Sequence, residues 1–94
     1  MSEKLNSIFE RILAERARQR TLPGSEFDAT NKVNDWLAIA SHYLSEPAQR
    51  NSSSDYHRLQ LSQADYEDSL IKAAAVILAA LEHSDALKAK GDLA

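Results

Sequence analysis

A chain of 94 residues with a formal net charge of −3 is expected to form one domain over residues 1–94, with a modest core. That charge supplies no general attraction to nucleic acid or to anionic membrane, which argues against both as partners. The absence of cysteine excludes disulfides and Cys-based zinc sites, and the sparse glycine and proline suit long helices with short connections.

The opening segment, Met-Ser-Glu-Lys-Leu-Asn, has no apolar signal core, so a cytoplasmic location is expected. Ser2 is positioned to cap a first helix over residues 2–20. Leu5, Ile8, Phe9, Ile12, Leu13 and Ala17 recur at helical spacing and predict its apolar stripe. Lys4, Glu10, Arg11, Glu15 and Arg18 predict a charged outer face. Arg16 and Arg20 lie one turn apart, which offers a second reading of this basic stretch as an anion-binding rim. Pro23-Gly24 ends the helix.

Residues 21–28 read as a connection rich in turn formers. Asp28, Thr30 or Asn31 is placed to cap a second helix over 29–46. Its stripe is Val33, Trp36, Leu37, Ala40 and Leu44, with Trp36 as the core anchor. Pro47 is expected to close it, because proline disfavours a helical residue before it. Residues 48–61 read as a loop with a serine-rich centre, mobile relative to the helices. Tyr56, Leu59 and Leu61 are placed to tack down its end.

Ser62 and Asp65 form a cap signature for a third helix over 62–90, with Gly91 as its C-terminal cap. His83-Ser84-Asp85 is a point where a short fourth helix can split off. Within this helix, eleven of the twelve residues Leu70–Leu81 are apolar. A helix apolar all round is enclosed on most sides, and twelve residues are too few for a bilayer, which needs about 20. The expected fold is all-α, three main helices in a bundle. Three helices leave the third incompletely covered, so a homodimer or larger homo-oligomer is expected. Lys72 is the exception in the apolar run; its ammonium must reach solvent or a partner.

Three stretches resemble small phage-type MazG-like proteins. Ile12-Leu-Ala-Glu-Arg-Ala-Arg-Gln19 followed by Gly24 resembles their opening Glu-Arg-x-Arg-Gln…Gly signature. The run from Trp36 to Ala48 is similar to the helix bearing their first acidic motif. Leu70–Glu82 resembles their apolar last core helix. The resemblance implies an all-α nucleoside triphosphate pyrophosphohydrolase fold, in which carboxylates on two helices hold magnesium. It also implies a phage or prophage source, where small inhibitor proteins are common.

By position, the family's Glu-Glu-x-x-Glu motif falls on His42, Tyr43 and Glu46, and only Glu46 remains acidic. Its Glu-x-x-Asp motif falls on Ser69 and Lys72, and neither is acidic. An ammonium in place of a metal-binding acid repels a dication. Lys72 either pairs with Glu46 or both are separate surface charges. The expected function is therefore non-catalytic: binding of a protein partner or of a nucleotide, with no metal and no catalytic residue. One alternative is a magnesium-dependent hydrolase using Glu46, Glu67, Asp68 and His42 in a rearranged site. Another is a helical scaffold protein. His57 and His83 lack ligand spacing and read as surface residues.

Overall fold

The computed structural model describes residues 2–52 and 61–94, and for 49–52 the backbone alone. Its order is α1 (Glu3–Gln19), a 3-10 helix (Ser25–Thr30), α2 (Val33–Ser52), α3 (Gln63–Glu82) and α4 (Ser84–Ala89). The fold is all-α with three main helices, and the described residues contain no strand. No described helix is long and apolar enough to cross a membrane.

Helix α3 is the shared element and packs against both α1 and α2. Its alanines explain the arrangement. Ala73, Ala75 and Ala79 are almost fully buried, and their small side chains let neighbouring helices come close. Trp36 fills the remaining space beside Val76, Ala79 and Leu87, with Val33, Ala40 and Tyr43 around it. It is the core anchor that the sequence predicts, at 4% exposure.

The stripe expected on α1 divides. Ile8 and Ile12 are half-buried, whereas Leu5, Phe9, Leu13 and Ala17 are exposed. The reason is coverage: the principal packing of α1 is on α3 alone, so one narrow strip of α1 is enough.

The helix ends follow local chemistry. Ser2 Oγ accepts from the Leu5 amide at 3.1 Å, and Ser62 Oγ accepts from the Asp65 amide at 3.0 Å, both side-chain caps. Gly91 takes a left-handed φ of 83°. Around it the Asp92 amide donates to Leu87 O and the Gly91 amide to Lys88 O, the paired bonds of a Schellman ending.

Three boundaries differ from expectation. Residues 25–30 form a 3-10 helix and not a plain connection. Pro47 does not close α2, which continues to Ser52. A proline inside a helix costs about 3 kcal/mol through its missing N–H and its ring clash. Here the ring is buried beside Leu61 and Ser69 at the start of α3, and that burial offsets the cost. Residues 48–52 of the expected loop are therefore helical. Residues 53–60, and with them the expected mobility, the contacts of Tyr56 and Leu59, and His57, lie outside the described residues. The third helix breaks at His83, as its sequence allows, but Ser84 is not the cap. His83 occupies that position without a side-chain cap bond.

The start of α2 is held from the far end of the chain. Neither Asp28, Thr30 nor Asn31 caps it. Asp28 faces Arg16 at 3.7 Å, and Thr30 Oγ1 donates to Phe27 O at 3.0 Å. Instead, Asp35 Oδ2 accepts from the Lys32 amide at 2.8 Å, and Asp92 Oδ2 accepts from the Val33 amide at 2.6 Å. Lys90 Nζ donates to Ala29 O beside it. Asp92 thus does the work of an N-cap across the fold. Asp92→Ala is expected to lower stability by about 1 kcal/mol, with Asp92→Asn closer to the parent. Urea titration followed by circular dichroism reads this directly. Equal stability of parent and alanine variant would show that the contact is idle.

Candidate functional site

The second half of α2 and the first half of α3 run side by side and enclose a polar cavity of about 260 Å³. Helical spacing places His42, Tyr43 and Glu46 on its α2 wall and Ser69 and Lys72 on its α3 wall. All five positions singled out in the sequence thus line one cavity. Asp65 and Asp68 line it too. They lie at i−7 and i−4 from Lys72, on the same side of α3. Sequence reasoning gave Asp65 to the helix cap and Asp68 to the alternative hydrolase site, although their spacing to Lys72 already put them on its face.

Lys72 Nζ lies 2.8 Å from Asp68 Oδ2. An acid four residues before a lysine is the favourable order on a helix. The hydrogen bond that Lys72 donates to Asp68 holds its ammonium above the usual lysine range, with a smaller contribution from the charge of Glu15. Lys72 is therefore a cation at neutral pH. Its backbone carbonyl accepts from Gln19 Nε2 at 3.3 Å, which ties this turn of α3 to α1. His42 and Tyr43 meet edge to face, their ring centroids 5.7 Å apart.

Glu67 points elsewhere. It accepts from Arg11 Nη1 at 2.8 Å and from Gln63 Nε2 at 2.9 Å. The Arg11 hydrogen bond holds its carboxyl below the usual range. Glu67 is therefore not among the residues that line the polar cavity, whereas Asp65 is.

A second cavity, of about 170 Å³, adjoins the first through Tyr43, which lines both. Arg16, Gln19, Asp28, Trp36 and Ile39 are on its wall. Arg16 is the one buried charged residue among those described. Its Nε donates to Glu82 Oε1 at 3.1 Å, and Arg20 Nη2 donates to Glu82 Oε2 at 3.0 Å. The two residues of the expected anion rim therefore converge on an anion that the chain itself provides. An incoming anion has to compete with Glu82.

His83 is not a plain surface residue. It is half-buried, its ring centroid 5.1 Å from that of Trp36, and its Nδ1 lies 2.8 Å from Ala79 O. Trp36 Nε1 is buried and has no hydrogen-bond partner.

Magnesium prefers octahedral oxygen ligation with carboxylate help. Among the described residues no three His, Asp or Glu side chains stand together as a metal-holding group. The ammonium of Lys72 stands among the carboxylates of the polar cavity. The polar cavity thus presents Glu46, Asp65 and Asp68, with the Lys72 ammonium paired to Asp68. No protein-family model, no curated protein and no solved structure matches this chain at a significant level.

Proposed function

We propose that this chain is a non-catalytic, MazG-like helical protein that acts by binding a protein partner, as an inhibitor does, and works as a homodimer or larger assembly. The observation that carries the reading is Lys72. It lines the polar cavity at a position that the resemblance assigns to a metal-binding acid, and its ammonium pairs with Asp68 at 2.8 Å. A fixed cation at that position repels a dication and occupies an acid that would otherwise ligate it. The binding reading is supported by the many large apolar side chains left exposed on all three main helices. Leu5, Phe9 and Leu13 form such a stripe on the side of α1 that also carries Arg16 and Arg20.

One observation favours the hydrolase reading as the alternative. Glu46, Asp65 and Asp68 line a single cavity, more acid than the sequence motifs alone retain. Calorimetric titration with magnesium separates the two. The natural chain is expected to give no saturable heat at millimolar magnesium, and the double variant Ser69→Glu with Lys72→Asp is expected to bind. Saturable binding by the natural chain, with nucleoside triphosphate turnover lost on Glu46→Ala, would establish the alternative.

A further inference from the structure

We infer that the face of α2 and α3 opposite the polar cavity is a self-association surface, covered by a second copy of this chain. The inference rests on the assembly in the proposed function and names the face that forms it.

Helices α2 and α3 touch along Trp36, Ala40 and Tyr43 on one and Val76, Ala79 and Ala80 on the other. That line divides their remaining side chains. His42, Glu46, Asp68 and Lys72 lie on the cavity side. On the other side Leu37, Leu44, Leu70, Ile77 and Leu81 are all exposed, Leu37 at 62% and Leu81 at 68%. Between the helices here runs an apolar groove of about 270 Å³, floored by Trp36 and closed at one end by Leu87 and Leu93. No charged residue lines it.

The spacing along α3 suits a helix partner. Leu70, Ala74, Ile77 and Leu81 follow a four-three-four pattern, two heptads of a coiled-coil seam. Ala74 sits near the middle of the stripe, where a small side chain allows close approach.

Surface area points to a second copy. The chain exposes 7014 Å², whereas a compact monomer of its 10.4 kDa mass exposes about 5,400 Å². A second copy seated on the exposed apolar side chains of this face would cover part of that surface. The radius of gyration agrees: 15.5 Å against about 12 Å for a compact chain of this length. A groove without charge carries no electrostatic code for a different partner. Under a two-fold axis it meets itself, and apolar matches apolar.

The test is the mass in solution by light scattering, at tens of micromolar protein. The natural chain is expected at twice 10.4 kDa. Ile77→Glu with Leu81→Glu should halve that mass while helical circular dichroism is kept, since both side chains are exposed. Phe9→Glu with Leu13→Glu, on α1, should leave the dimer intact. Ala74→Cys, the sole cysteine in its variant, should form a disulfide-linked dimer under mild oxidant, because the middle of the stripe meets its own copy. A monomeric natural chain overturns self-association altogether and leaves the magnesium result standing. A dimer that ignores Ile77→Glu with Leu81→Glu but dissociates on Phe9→Glu with Leu13→Glu overturns the choice of face.

Discussion

Trp36→Ala is expected to cost about 3–5 kcal/mol of folding stability, the range for removing a buried large aromatic. A chain of 94 residues has about 5–14 kcal/mol in all, so the variant stands at the edge of unfolding. No other side chain in this core is comparable. Among the described residues the other buried apolar side chains are Val76, Leu87, Pro47 and three alanines, and no large side chain is fully buried. The indole supports α2, α3 and α4 together and bears the His83 ring. Trp36→Phe tests a separate point. It loses part of the packing, but it also removes Nε1, a buried donor with no partner. An unsatisfied buried donor costs about 1–3 kcal/mol, so the two effects oppose and the net change should fall within about 1 kcal/mol. Urea titration at fixed protein concentration measures both, since the proposed self-association would make stability depend on concentration. A cost below about 1 kcal/mol for Trp36→Ala would remove the indole from the centre of the fold.

The main helices were legible because their signals are local. Ser2 and Ser62 cap as their spacing indicates, and Gly91 takes the left-handed φ that favours glycine. The enclosed run of α3 announces itself by alanines on several faces. What was not legible depends on partners distant in sequence. Pro47 reads as a stop unless its ring is known to be buried beside Leu61 and Ser69. The cap on α2 comes from Asp92, 59 residues away, and no pattern near Val33 indicates it.

The candidate site shows the same division. His42, Tyr43, Glu46, Ser69 and Lys72 share a cavity because helical spacing sets each wall, and the packing of α2 on α3 joins them. The partner of Lys72 was within reach of the sequence, since Asp68 is four residues before it. The partner of Arg16 was not. Glu82 lies 66 residues further on and meets it only because α1 and α3 pack together.

That pair gives the second large effect, and its two members are expected to respond unequally. Arg16 is buried, its side chain 7% exposed, whereas the Glu82 side chain is 41% exposed. Arg16→Met removes the desolvated charge itself and keeps an apolar stem in place. The carboxylates left behind, Glu82 and Asp28, are partly solvated, and Glu82 retains Arg20 at 3.0 Å. Glu82→Gln does the reverse. It leaves a buried guanidinium with Asp28 at 3.7 Å as its remaining charged neighbour among the described residues. Stranding one member of a buried pair costs about 3–5 kcal/mol, and the residual contact with Asp28 reduces this to about 2–3 kcal/mol. Arg16→Met should cost about 1 kcal/mol, nearer the exposed-pair range. The acid response carries a sign. The Arg16 hydrogen bond holds the Glu82 carboxyl below the ordinary value of 4.5. A carboxyl lowered in the folded state contributes stability that is full above its unfolded pKa and is lost as pH falls through the folded value. Stability of the natural chain should therefore hold down to about pH 5 and fall below it. In Glu82→Gln that fall should be shallower, because the group that titrates is gone. The carboxyl of Glu15, held low by Arg18, contributes in the same direction in both proteins and does not distinguish them. Urea titrations between pH 3 and 7 decide the matter. If Arg16→Met costs more than Glu82→Gln, the desolvated cation is not the vulnerable member of the pair.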